Sequence, residues 1–411
     1  MHETMDAGAA TLPAAPAETL DDALRGDLDA LERDGLRRSL RHVEQRRGAE
    51  VVADGRVAID FSSNDYLGLA SDPRIAEAAA RALRDAGTGA AAARLISGNH
   101  PLHEALEDAL ARFKRAPAAL LFPSGYAANT AAIPALVGRP DAVYSDALNH
   151  ASLIDGCRLS RAALHVFPHG DVDALDALLR ADEGRYRRRL IVVDAVFSMD
   201  GALFPLDALA EVAERHGAWT YVDDAHGTGV LGREGRGSPE HWGVEGRIDV
   251  VMGTLGKALG TAGAFVAGSE VLREWLLNRA RSFVFTTGSP PAVAAAALAA
   301  LRIAEEEPWR RARLRANARR LREGLAALGR PAPGEPDGHI VPVLVGEAEE
   351  TMRAGRRLLE RGFLAGAVRP PTVPAGTSRL RLTLSAAHTP EQIDGLLAAI
   401  REVLGESNTV G

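Results

Sequence analysis

Two segments concentrate the chemistry of this chain. Y-V-D-D-A-H-G-T-G (221–229) ends an apolar run with Asp223 and Asp224, and His226 follows three residues after the first carboxylate. M-G-T-L-G-K-A-L-G (252–260) sets Thr254 and Lys257 among glycines. A carboxylate, an imidazole, a hydroxyl beside pliable backbone and an amine can together hold pyridoxal 5′-phosphate. Lys257 suits its aldehyde, Asp223 its pyridine nitrogen and Thr254 its phosphate. Each piece alone has a plainer reading: a surface lysine in a glycine loop, or a turn or helix-cap aspartate. A P-loop is excluded, because Ala258 rather than Ser or Thr follows the lysine and the glycines are too closely spaced.

Other segments fit the same ligand. F-P-S-G-Y-A-A-N (122–129) reads as strand, tight turn and helix, so the N–H groups near Gly125 and Tyr126 would favour an anion such as phosphate. N-H-A-S-L-I-D (149–155) places His150 at a loop-to-helix entry, and F-S-M-D-G (197–201) is a turn carrying Ser198. Arg379 and Arg381 are two apart in a strand and share a face. They read as a solvated edge or as a clamp for a substrate carboxylate.

The elements that must position these groups follow from pattern. Short apolar runs at Ala118–Phe122, Ala142–Ser145, Leu164–Phe167, Leu190–Asp194, Trp219–Asp223, Val250–Gly253, Ala264–Ala267 and Phe283–Thr286 predict strands. Helical stretches alternate with many of them, including Pro73–Ala86, Pro101–Lys114, Leu206–His216 and Glu270–Ala280. That alternation predicts an α/β fold with a mostly parallel sheet covered on both faces, where ligands bind beyond the C-terminal strand ends. Asp194, Asp223 and Thr254 fall at such ends.

Around this region, residues 1–18 read as a disordered extension. Residues 19–70 read as a helix running to about Gly48, then a hairpin over 51–61 turning at Asp54-Gly55. Residues 71–290 form the large cofactor-binding domain. Residues 291–411 form a smaller α+β domain, with helices near 291–306, 308–328, 350–361 and 390–404, and strands near 340–345, 363–368 and 379–385.

Bulk composition fits a soluble globular protein. The chain has 411 residues, 46% hydrophobic and 25% charged, with formal net charge −7, so neither nucleic acid nor an anionic membrane is an expected partner. Its one cysteine, Cys157, can form no internal disulfide and reads as a small buried apolar side chain. The stretch Ala292–Leu301 is too short to span a bilayer and reads as a buried helix. The N-terminus has no basic region before an apolar stretch, so no secretory leader is expected and the location reads as cytoplasmic. No metal site is expected.

Taken together, S-S-N-D-Y-L-G-L (62–69), V-F-S-M-D-G (196–201), V-D-D-A-H-G-T-G (222–229) and T-L-G-K (254–257) resemble the α-oxoamine synthases, fold-type-I pyridoxal-phosphate transferases. The resemblance covers roughly residues 20–405. It implies decarboxylative condensation of an amino acid with an acyl thioester. R-P-P-T-V-P-A-G-T-S-R-L-R-L-T-L-S-A-A-H (369–388) resembles the branch that joins L-alanine to a pimeloyl-CoA or carrier-protein thioester in biotin synthesis, with a glycine C-acetyltransferase as the alternative. By resemblance, Lys257 bonds the cofactor, Asp223 pairs with its ring nitrogen, His226 and Ser198 face its phenolic oxygen, and His150 stacks on the ring. Thr254 and the backbone at Gly125 and Tyr126 hold the phosphate, and Thr287 reaches the neighbouring subunit's phosphate, implying a homodimer with a shared active site. Asn64 and Arg381 hold the amino-acid carboxylate, while Arg37 and Thr372 contact the acyl substrate. The set Lys257, Asp223, His226 and His150 speaks against a non-catalytic partner subunit. Two departures stand out. The loop 87–98 (G-T-G-A-A-A-A-R-L-I-S-G) carries alanines where the family often has glycines, and Asp194 sits where relatives are expected to carry Glu.

Overall fold

The computed structural model describes residues 19–405, so the disordered extension expected over 1–18 lies outside the described residues. The chain separates into a first unit ending at His42 and a second beginning at Val43. The first unit contains α1 (Leu20–Arg33), whose Thr19 hydroxyl accepts the Asp22 N–H at 3.2 Å. This helix is shorter than its leucine spacing predicts. Gly35 takes φ +64° just past its end, which no helix continues through, and residues 43–47 are extended.

The second unit opens with β1 (Val43–Arg47), β2 (Glu50–Ala53) and β3 (Arg56–Asp60). The hairpin turn falls at Asp54 and Gly55 as expected, both with positive φ (50° and 72°), the geometry two-residue hairpins require. Next come α2 (Pro73–Ala86), α3 (Pro101–Lys114), β4 (Ala118–Phe122), α4 (Gly125–Leu136), β5 (Ala142–Asp146), α5 (Ala151–Ser160), β6 (Ala163–Phe167) and α6 (Val172–Ala181). They are followed by β7 (Arg189–Asp194), α7 (Leu206–His216), β8 (Trp219–Asp223), α8 (Ser238–His241), β9 (Val250–Thr254), β10 (Ala264–Gly268), α9 (Glu270–Arg279) and α10 (Arg281–Val284). The C-terminal portion adds α11 (Pro291–Glu306), α12 (Trp309–Ala327), β11 (Ile340–Gly346), α13 (Ala348–Glu360), β12 (Phe363–Leu364), β13 (Gly366–Val368), β14 (Ser378–Thr383) and α14 (Pro390–Leu404).

The large sheet has seven strands in the order β4-β10-β9-β8-β7-β5-β6. Only β10 runs against its neighbours. Alternation along β7 shows why both faces are covered. Leu190 and Val192 join a core with α4 and α5, while Ile191 and Val193 join a core with α6 and α7. Burying both faces makes the interiors of the central strands β7, β8 and β9 largely apolar, with Asp194, Asp223 and Thr254 at their C-terminal ends. Cys157 is buried in the first of these cores, and burial pushes its thiol up to about 12, out of the reactive range. The alanine-rich α11 is buried through Ala294, Ala297, Ala300 and Leu301, as its composition suggested.

Two expectations are corrected. The strand predicted at Phe283–Thr286 is the short helix α10 and a turn. Its backbone closes helically (Val284 N–H to Ala280 O, 3.0 Å), and Phe283 packs edge-on to Phe122. A four-residue apolar run does not distinguish strand from helical turn. The single strand predicted near 363–368 is two. β12 pairs parallel with β3, and after Ala365 the chain crosses to pair β13 antiparallel with β14.

Candidate active site

Asp194 and Asp223 are register partners at the C-terminal ends of the adjacent parallel strands β7 and β8, and Thr254 ends β9. His150 caps α5 after β5, and Gly125 begins α4 after β4. The sheet therefore gathers at one rim residues scattered over more than a hundred positions of sequence.

Asp223 is almost fully buried and held from two sides. Its Oδ2 accepts Asn129 Nδ2–H at 2.8 Å, and its Oδ1 accepts the Ala225 N–H at 3.0 Å. Asn129 also donates to Ser152 Oγ at 2.9 Å and accepts from Tyr221 Oη at 2.8 Å. Ser152 Oγ in turn lies 2.7 Å from His150 Nδ1, so a continuous polar chain links His150 to Asp223. The His150 N–H donates to Asp194 Oδ2 at 2.5 Å. Burial raises both carboxyl pKa values. Lys257 and the Asn129 bond pull Asp223 back down, whereas Asp223 itself pushes Asp194 further up. Asp223 thus keeps the negative charge, and Asp194 takes up a proton first. Partial burial lowers the His150 pKa.

Lys257 Nζ lies 3.1 Å from His226 Nε2. Burial lowers the Lys257 pKa against the pull of Asp223 and Asp194, which favours a neutral amine. Burial also lowers His226 well below the usual imidazole value, helped by the Lys257 and Arg381 charges. On its other side, His226 Nδ1 meets Tyr66 Oη at 2.6 Å, and Tyr66 reaches Asn64 Oδ1 at 3.0 Å. Arg381 donates to Asn64 Oδ1 at 3.2 Å and, through Nε, to the Ser198 carbonyl. Arg379, its partner on the sequence pattern, donates instead to the Thr377 carbonyl outside this group.

Gly125 and Thr254 abut. A Cβ on Gly125 would stand 2.9 Å from Thr254 Cγ2, so a side chain there would close the space between helix start and strand end. The Thr254 hydroxyl donates to the Ala225 carbonyl at 3.2 Å. The Tyr126 side chain points away, donating to Asp155, so only its backbone faces the helix start. Thr287 is exposed on the turn after α10, bridged to Ala93. Thr372 is exposed in a turn closed by its N–H to the Arg369 carbonyl at 3.1 Å. Arg37 belongs to the first unit, beyond the end of α1, and pairs with Glu32 at 3.5 Å.

Sequence reasoning overlooked Asn129, Ser152 and Tyr66 as members of this network. Asn129 and Tyr66 stand inside motifs already singled out, but nothing local distinguishes a buried amide or phenol from a packing residue. The arrangement fits pyridoxal phosphate: a buried carboxylate for a cationic ring nitrogen, an amine whose pKa desolvation lowers and a helix start kept open by glycine. A cavity of about 750 Å³ lies at the opposite end of the same strands, between Trp219, Val250, Gly268 and Trp275, and contains none of these groups.

Comparison with known proteins agrees. The family model for aminotransferase class I and II matches residues 56–400. 8-Amino-7-oxononanoate synthases of Alkalilimnicola ehrlichii and Geobacter sulfurreducens are 52% identical over 95% and 93% of this chain, and 100% and 97% of their own lengths. A serine palmitoyltransferase from S. paucimobilis, solved with a bound PLP–myriocin aldimine, superposes with TM-score 0.87 at 35% identity over 93% of this chain and 98% of its own. An 8-amino-7-oxononanoate synthase from Francisella tularensis gives TM-score 0.74 at 29% identity, over 84% and 98% of the two chains. The chain belongs to the class I and II aminotransferase family of fold-type-I pyridoxal-phosphate enzymes, among the α-oxoamine synthases and with the 8-amino-7-oxononanoate synthases.

Proposed function

We propose that this enzyme condenses L-alanine with a pimeloyl thioester, of CoA or of a carrier protein, releasing the thiol and CO₂ and forming 8-amino-7-oxononanoate for biotin synthesis. The observation that carries this reading is the continuity of one polar group. Lys257, which suits the cofactor aldehyde and whose charge acts on Asp223, is joined through His226, Tyr66 and Asn64 to Arg381, which suits a carboxylate.

When bound, pyridoxal phosphate supplies an aldehyde for an amine and a sink for the electrons of a carbanion. The chain supplies the rest. Asp223, held in place by Asn129 and the Ala225 N–H, would pair with the ring nitrogen. Arg381 and Asn64 orient the alanine carboxylate. Lys257, whose pKa is lowered by desolvation, takes the Cα proton and later returns one. His150 covers one side of the site, with its backbone fixed by Asp194. The N–H groups of Gly125 and Tyr126, with the Thr254 hydroxyl, hold the phosphate. Thr287 on its exposed turn suits contact with a second copy, so a homodimer with shared sites is part of this proposal. So are contacts of Arg37 and Thr372 with the acyl substrate, and a cytoplasmic location. Among the described residues no helix is long and apolar enough to cross a membrane. The division into a cofactor domain over 71–290 and a small domain from 291 is likewise proposed.

The test is thiol release. Purified enzyme with pyridoxal phosphate is expected to liberate CoA from pimeloyl-CoA when L-alanine is present, and to do so far less with glycine and acetyl-CoA. Release with the second pair alone would assign the chain to glycine acyl transfer instead.

A further inference from the structure

We propose that Ser152 is a positioning residue for His150: with Asn129 it forms a one-way hydrogen-bond relay that leaves Nδ1 of His150 without a proton and puts the N–H of the ring on Nε2. The direction of the relay follows from donor and acceptor types. The Asp223 carboxylate only accepts, so the Asn129 atom 2.8 Å from its Oδ2 is the amide nitrogen. That nitrogen has no lone pair to offer, so toward Ser152 Oγ, at 2.9 Å, it donates again. The other end of the amide is then the carbonyl oxygen, which agrees with the Tyr221 hydroxyl 2.8 Å away. Ser152 Oγ accepts from Asn129 and has one proton to give, and His150 Nδ1 lies 2.7 Å from it. A second donor meets the same nitrogen: the Ser152 backbone N–H, at 3.3 Å, where His150 caps α5. Two donors converge on Nδ1, so the proton of the neutral ring sits on Nε2.

The relay is sealed from solvent. Tyr221 and Asn129 are 0% exposed, Ser152 1% and Asp223 3%, whereas His150 itself is exposed. The members meet because α4 and α5 pack closely. A Cβ on Gly156 would stand 2.7 Å from the Asn129 backbone oxygen, so glycine there lets the two helices touch. A proton on Nδ1 would face two donors with a third, so the ring resists becoming an imidazolium. The consequence for the reaction rests on the proposed function. A neutral ring avoids like-charge repulsion with the cationic pyridine nitrogen that Asp223 suits, and its Nε2–H offers one donor to an oxygen of the substrate. Asp223 serves twice, as partner for that nitrogen and as the acceptor that orients Asn129.

Nitrogen-15 NMR of full-length protein labelled at histidine, with and without pyridoxal phosphate, reads the ring directly. His150→Asn, which keeps a capping side chain, identifies the signal. The wild type is expected to show a bare, hydrogen-bonded Nδ1 and a protonated Nε2. Ser152→Ala removes the hydroxyl donor and keeps the backbone N–H. Its Nδ1 signal is expected to move toward that of a nitrogen without a hydrogen bond, and the proton affinity of the ring to rise about 5–10-fold. Asp223 and Lys257, the charged groups acting on the ring, and Asp194, which accepts its backbone N–H, are the same in both proteins and do not produce the difference. Ser152→Thr keeps the hydroxyl and is expected to restore both readings. A protonated Nδ1 in the wild type overturns the proposal, and that reading stays decisive should Ser152→Ala fold poorly. Equal proton affinity in the wild type and Ser152→Ala overturns it too. The ring is read without substrate, so absence of thiol release by the wild type would sink the proposed function and leave this result standing.

Discussion

Asp224 accepts from Lys114 Nζ at 2.8 Å, Thr228 Oγ1 at 2.9 Å and the Ser238 hydroxyl at 2.6 Å, all of them buried. Asp223, one residue earlier, meets the amide of Asn129 and lies within the field of Lys257. Two identical side chains in sequence therefore have separate duties, because a strand end turns successive residues to opposite sides. Removing the Asp224 charge strands a buried ammonium. Asp224→Asn is expected to cost about 3–5 kcal/mol of stability, seen as a lower denaturant midpoint. Asp223→Asn is expected to leave the midpoint close to wild type and to reduce thiol release at least ~100-fold. Equal loss of stability in both variants would contradict this division.

At the level of elements, capping and turn chemistry made several boundaries legible. Pro73 and Gly87 bracket α2, Pro101 opens α3, and Asp54-Gly55 makes the hairpin turn, each for a local steric reason. Elements whose form depends on distant partners were not legible. β1 is a strand because it pairs with β2, and β12 and β13 separate because two different sheets claim them. The alanine-substituted loop shows the same limit. Ala91 takes φ +60°, a left-handed conformation that suits glycine, just before the π-type turn Arg94–Gly98. Ala91→Gly relieves that crowding and is expected to raise stability by about 0.5–1 kcal/mol, measured as an upward shift of the thermal midpoint. A fall in the midpoint would show that Ala91 is unstrained.

The whole molecule sets the dependence of stability on pH, because long-range folding buries several histidines. His388 Nδ1 accepts the Ser385 N–H at 2.9 Å, and Nε2 donates to the Asp60 carbonyl at 3.1 Å, so the neutral ring satisfies both nitrogens. Burial lowers it from 6.5 to about 4, and lowers His339 from 6.5 to about 3. Above pH 6.5 neither form binds the proton and the full stability is present. As pH falls from 6.5 toward 4, the unfolded chain takes up a proton that folded His388 refuses, and stability is lost. The part due to His388 is about 2 kcal/mol by pH 5. Urea unfolding at pH 7.5 and pH 5 should show a smaller loss in His388→Gln than in wild type, and identical losses would exclude this source. The site shows the same dependence on global folding. Its strand-end motifs were legible because a parallel sheet must bring them to one rim. Tyr66 and Asn129 were not, since their partners lie 160 and 94 residues away and only the fold brings them together.

The account rests on a Lys257 amine with a lowered pKa that bonds pyridoxal phosphate beside Asp223. Borohydride reduction of the purified protein with pyridoxal phosphate, followed by peptide mass mapping, tests it most directly. The predicted result is a pyridoxyl mass on the peptide carrying Lys257, absent in Lys257→Ala together with thiol release. A label on another lysine, or undiminished thiol release by Lys257→Ala, would contradict it.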